Sequence, residues 1–388
     1  MLVQRRIREI GAFAILLCSA TAGCSAAETS ESAARGEQAF GAAPRFLSAR
    51  GVGTEASANA YYAANIVGFI PGTYTLSQWL NEFGPQSADL ALGFYQNTND
   101  LGFWREMYCT KAISRGAGGC FVVNWRNEND RPAGRPNAGT VAMNISPEGF
   151  TRFYAFGSNG ILTPSVRLDS EDPKFVPKVC VVCHAGATPV PATGDLGSVF
   201  REFETSLLKA PTGVSAGQME ASWLGLNDAV RAANQSVRSE AEGAAEGTDF
   251  AKARTVGHIT GELYGGPSAT TSVPLGSQGA PASWDQAGDP LPLRTAKLAL
   301  WRSVVAPSCM PCHRAIQDFD WADYLSFARV AKRSNGATSL LDKVLAPDAV
   351  RPMPQAELTS RNFAANPAAR AAIDSWVNLV NPPTVPPP

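Results

Sequence analysis

Four cysteines and two histidines stand out in this 388-residue chain, as Cys180-Val-Val-Cys183-His184 and Cys309-Met-Pro-Cys312-His313. Both runs read C-x-x-C-H, the spacing that attaches a c-type haem. Two thiols separated by two residues reach the two vinyl groups on one edge of a porphyrin and form thioethers. The imidazole of the next residue then meets the iron from the proximal side. Histidine is scarce here: the chain holds three, and two of them directly follow these cysteine pairs. A competing use of two C-x-x-C pairs is one shared zinc ion, whose pairs usually stand about 12 to 20 residues apart. Cys183 and Cys309 lie far beyond that spacing, and zinc leaves the adjacent histidines without a role. A redox dithiol fits one such pair but not two with histidine following. The expected cofactors are therefore two covalent haems (iron), with His184 and His313 as proximal ligands.

The remaining candidates are distal ligands and spare thiols. His258, in Thr255-Val-Gly-His-Ile-Thr260, is the third histidine and a candidate distal ligand for the first haem. Met219, Met143 or an open iron are the alternatives, and a structural role for His258 stands beside them. Pro189 and Pro191 follow His184 closely enough for a nearby backbone carbonyl to accept its imidazole N–H. Of eight cysteines, Cys18 falls in a leader, Cys24 in a lipidation signal and four in the motifs, which leaves Cys109 and Cys120. In an oxidising compartment these pair across the glycine-rich turn Arg115–Gly119; the alternative is two buried thiols. Trp301 precedes the second motif as a core residue or an electron relay.

From about Leu293 to the end the chain resembles a class I cytochrome c. A helix leads into the motif, Arg351-Pro-Met353-Pro354 follows forty residues after His313, and an amphipathic helix closes the chain. The resemblance implies that Met353 is the distal ligand of the second haem, a ligation that favours ferrous iron. Met310 lies inside the attachment motif and cannot serve. Two C-x-x-C-H motifs in one chain also give a distant resemblance to bacterial dihaem cytochrome c peroxidases. This chain departs from them in placing its first motif late, after a β-like segment. Single-electron transfer is the leading expectation, and a peroxidase-type oxidoreductase with a catalytic first haem is the alternative.

The elements that must position these residues follow from patterning. Arg5, Arg6 and Arg8 precede a short apolar run, Ala12–Leu17, which reads as an export signal, residues 1–23. Thr21-Ala-Gly-Cys24 resembles a bacterial lipobox, implying a lipid on Cys24 and a Gram-negative periplasm-facing or outer-membrane lipoprotein. An Ala/Ser/Gly/Glu-rich stretch, 24–58, reads as a tether. Residues 59–175 alternate aromatic and β-branched residues between turns, with strands at Cys120–Trp125, Thr140–Ile145, Phe150–Phe156 and, after the Ser158-Asn-Gly160 turn, Ile161–Leu168. Beyond them, Leu196–Lys209, Ala216–Ala233, Leu293–Val304 and the stripe Ala369, Ile373, Trp376, Val380 read as helices. The fold class expected is α+β: a β-containing N-terminal segment, then two mainly α-helical cytochrome c-like regions, 176–288 and 289–388. A formal net charge of −1 excludes a generally basic nucleic-acid binder. The partners expected are redox proteins of the periplasm or outer membrane, and the membrane itself through the anchor.

Overall fold

The computed structural model describes residues 53–85, 90–135, 137–170, 172–186, 196–201, 203, 208–237, 280–313, 321, 323–331, 344 and 356–380. Cys24, His258, Met353, Pro189 and Pro191 lie outside these residues. The architecture is α+β: a six-stranded antiparallel sheet comes first and a largely helical region follows. Among the described residues no helix is long and apolar enough to cross a membrane.

Two helices precede the sheet, α1 (Glu55–Asn65) and α2 (Leu76–Phe83). Helix α1 begins inside the stretch read from sequence as tether, because Thr54 caps it and Ser57 bonds back to the Thr54 N–H at 3.0 Å. Such a cap contributes about 1 kcal/mol. The sheet runs β1 (Leu90–Asn97), β2 (Trp104–Thr110), β3 (Gly119–Trp125), β4 (Thr140–Ile145) and β5 (Thr151–Phe156) as successive antiparallel neighbours. Beyond Gly160, whose φ of +74° makes the expected turn, Ile161 and Leu162 form only isolated bridges. Two short strands, β6 (Ser165–Val166) and β7 (Lys174–Phe175), pair with each other. The long strand expected at Ile161–Leu168 is therefore broken.

Each sheet edge meets further groups of the chain, which limits it as a template for unwanted strand pairing. On the β5 side, the Phe153 N–H donates to the Tyr61 hydroxyl at 2.9 Å and the Ala155 N–H to the Tyr62 hydroxyl at 3.3 Å. On the β1 side, β8 (Leu208–Lys209) pairs with Gln96 and Asn97. Cys109 and Cys120 are directly opposed on β2 and β3 and form a disulfide. Closing a loop of that length contributes about 2–3 kcal/mol.

Helix α3 (Lys178–His184) carries the first motif, and α4 (Ala216–Ser236) lies across β1 and β2. Gly93 on β1 permits the close approach, since a Cβ there would meet Leu226 at 2.9 Å. Val179, Val181 and Val182 share one core with Trp79, Phe121, Phe153 and Trp223, so sheet and first motif pack as one body. The sequence border at 175/176 thus runs through a core. Of Leu196–Lys209, expected as a helix, the described residues 196–201 and 203 have no helical backbone and Leu208–Lys209 is strand β8.

The second core belongs to the helical region: α5 (Leu291–Leu300), a π-helical stretch Trp301–Cys309, α6 (Met310–His313), α7 (Tyr324–Ala331), α8 (Glu357–Ala365) and α9 (Pro367–Val380). Pro307 has no N–H to donate, and the Met310 N–H bonds to the Val305 carbonyl, the wider spacing of a π turn. Trp284, Trp301, Trp321 and Trp376 are essentially buried together with Phe327. Ala369, Ile373 and Trp376 face this core as their spacing predicts.

Candidate haem-attachment sites

One turn of α3 places Cys180 and Cys183, three residues apart, on the same face, while the valines between and before them anchor the opposite face. His184 ends the helix and is held at two points. Its ring Nδ1 lies 3.0 Å from the Val199 carbonyl, and its own carbonyl accepts from the Val199 N–H at 3.1 Å. Phe153 packs edge-on against the ring, with centroids 5.3 Å apart. With Nδ1 bonded to backbone, the tautomer leaves Nε2 as the free donor atom. The residue is half-buried, and burial, with the Arg201 charge adding, pushes the ring's pKa down to about 4, so it stays neutral.

The clamp on His184 depends on a segment that side chains hold open. Asn234 accepts from the Phe200 N–H and donates to the Phe200 carbonyl, both at 2.9 Å. Asn227 treats Phe203 the same way, at 2.7 and 3.1 Å. These two amides, two helical turns apart on α4, supply the backbone hydrogen bonds of Phe200 and Phe203. The chain leaves α3 through Ala185 at φ +58°, a conformation that costs a non-glycine residue about 1–3 kcal/mol. Ser198 Oγ donates to the Ala185 carbonyl at 2.6 Å and steadies it. Gly186 follows at φ +133°, where a Cβ would collide with Ser198 and the Leu196 carbonyl.

The second motif is supported differently. Cys309 closes the π-helical stretch and Cys312 and His313 lie on α6. His313 is buried, its ring centroid 4.7 Å from that of Trp321. Burial pushes the Cys309 thiol up to about 12 and raises Cys180 likewise. Met310, within the motif, is fully buried in the tryptophan core. All four motif cysteines are free of disulfides and partly exposed.

The two motifs meet. Helices α3 and α6 pack together, and the sulfurs of Cys183 and Cys312 are 3.7 Å apart. Beside them lies a buried ion cluster: Arg201 bonds Asp100 at 2.7 Å, with Arg105 3.8 Å from the same oxygen. Burial alone would raise the Asp100 carboxyl, but Arg201 and Arg105 outweigh it and hold the group below its ordinary value. The seam is fastened again by Glu357, which accepts from the Ser170 N–H at 2.7 Å and hydroxyl at 2.8 Å, and by Asn362, which donates to Asn99 at 2.7 Å.

The structure thus brings Cys183 and Cys312 into contact, with Cys180 and His184 on the helix of the first and Cys309 and His313 beside the second. Met219 and Met143, the alternative distal ligands, are both buried in the sheet-side core. The carbonyl that meets His184 comes from Val199, rather than from the Pro189–Pro191 neighbourhood expected from sequence. Trp301 packs on Trp284 with centroids 5.0 Å apart as part of the second core, not between the motifs. Among the described residues no three His, Cys, Asp or Glu side chains gather as a metal ion would need. Set against known proteins, the chain matches no family model, no curated protein and no solved structure. Val199 acts through its backbone and leaves no sequence signature. Asn227 and Asn234 do leave one: two amides at one helical face among Trp223, Val230 and Ala233.

Proposed function

We propose that this chain is an exported dihaem c-type cytochrome that passes single electrons between redox proteins of the periplasm or outer membrane. The observation that carries the reading is the two-point hold of Val199 on His184, which orients an imidazole directly after a C-x-x-C pair with Nε2 left for iron. The cysteine usage supports it: the pair outside the motifs is disulfide-bonded and the four inside are not. When bound, each haem supplies a one-electron ferric/ferrous couple. Cys180 and Cys183 hold the first covalently and His184 ligates it. Cys309 and Cys312 hold the second, with His313 proximal and Met353 distal in a class I-like domain spanning 289–388. His258 is the proposed distal ligand of the first haem. The chain supplies electrostatic balance through Asp100, Arg105 and Arg201, and keeps the proximal imidazole of the first site neutral and fixed. A lipid on Cys24 then holds the protein at the membrane surface.

Potentiometric titration followed in the visible tests this function. The holoprotein should show two reversible one-electron steps, with both ferric irons low-spin. A high-spin first iron and rapid peroxide turnover would overturn electron transfer in favour of a peroxidase-type enzyme.

A further inference from the structure

Neither attachment motif needs the other, since each requires only one turn of helix and a histidine. Yet the two stand in contact, Cys183 sulfur to Cys312 sulfur at 3.7 Å. The seam around it is fastened by the Ser170–Glu357 and Asn99–Asn362 hydrogen bonds, with the buried Arg201–Asp100 pair beside the two sulfurs. We propose that Cys183 and Cys312 join the two haems into one electronically coupled pair, each haem reaching the junction through its second thioether. The inference rests on the dihaem reading above.

The chemistry of attachment carries the argument. A thioether sulfur is separated from the macrocycle by a single carbon, the former vinyl α-carbon. Two such sulfurs 3.7 Å apart would leave no side chain of the protein between the two points of attachment. Held by Cys183 and Cys312 at this junction, the two haems would supply a one-electron exchange in which no bond forms or breaks and no proton moves within the pair. One-electron carrier proteins supply and remove that electron. Trp301 is not required as a relay, which agrees with its burial against Trp284. Haems attached at these two sulfurs would sense each other, so their Soret transitions would couple and their reductions would belong to the pair rather than to either site.

Soret circular dichroism of the ferric holoprotein tests the proposal against two single-haem variants, Cys180→Ala with Cys183→Ala and Cys309→Ala with Cys312→Ala. The expected result is a bisignate couplet in the holoprotein that is absent from both variants. A holoprotein spectrum equal to the sum of the two variants overturns the proposal. Should a variant fail to accumulate, the holoprotein alone decides. Its couplet should vanish at half reduction, when the two transitions no longer coincide, and return on full reduction. A half-reduced spectrum that is the mean of the end states overturns it. A pyridine haemochrome assay on the same sample separates the two claims: two haems per chain without a couplet sinks only the junction, whereas fewer than two sinks the dihaem reading as well.

Discussion

The same five-residue pattern is held in two unlike ways. Cys180–His184 follows a separate two-stranded sheet and shares its core with a six-stranded antiparallel sheet whose second and third strands are disulfide-bonded. Its histidine is fixed by a backbone carbonyl that two asparagines keep in place. Cys309–His313 instead emerges from a π-helical stretch in a helical region, and its histidine rests on a tryptophan within an aromatic cluster. What the motif demands is thus very local: one helical turn for the thiols and something rigid against the imidazole. On one side two hydrogen bonds to Val199 and the edge of Phe153 hold the ring, and on the other Trp321 packs against it.

The largest effect should come from attacking the packed side. Trp376 is fully buried and donates through its indole N–H to the Tyr324 hydroxyl at 3.1 Å. Trp376→Ala should cost about 4 kcal/mol, the usual scale for emptying such a site. Hydrogen exchange should then show lost protection in α5 and α9 while β2–β4 stay protected. Simultaneous loss in the sheet would mean that the two regions unfold as one and that the contrast is only one of appearance.

Next in size is Asp100→Asn, which removes the counter-charge from a largely buried Arg201 and should cost about 3 kcal/mol at neutral pH. The sign with pH is fixed by the lowered carboxyl. Its contribution is complete above the ordinary aspartate value, about 3.9, and is lost as pH falls through the lower folded value. Denaturant unfolding across that acid range should show parent and variant converging; a gap that stays constant would assign the cost to packing instead.

The smallest effect sharpens the comparison most locally. Asn234→Ala leaves the Phe200 N–H and carbonyl without their partner and should cost about 2 kcal/mol. Because the same segment presents the Val199 carbonyl, NMR of the His184 ring should report a weakened Nδ1 hydrogen bond, with His313 unmoved. Equal changes at both rings would contradict separate support.

Much of this was readable in the residues, but unevenly. Strand β4 coincides with the expected Thr140–Ile145, because its β-branched and apolar run is bounded by turn signals. Strands β1 and β2 escaped, since Gly93 interrupts one and Arg105 and Glu106 charge the other. Phe200 and Phe203 mimic helical spacing, yet distant amides on α4 decide their backbone. The Cys109–Cys120 pairing followed from counting cysteines, and the strand register then gave it a place. The contact of Cys183 with Cys312 spans 129 residues, and no local pattern encodes it.

In the proposed function each C-x-x-C-H holds one haem covalently. Intact mass after denaturation and acid–organic extraction measures this directly, on protein made in cells competent for c-type haem attachment. The account predicts two haem adducts on the parent chain, one after Cys180→Ala with Cys183→Ala, and one after Cys309→Ala with Cys312→Ala. A parent chain without haem, or either double variant still carrying both, would contradict it.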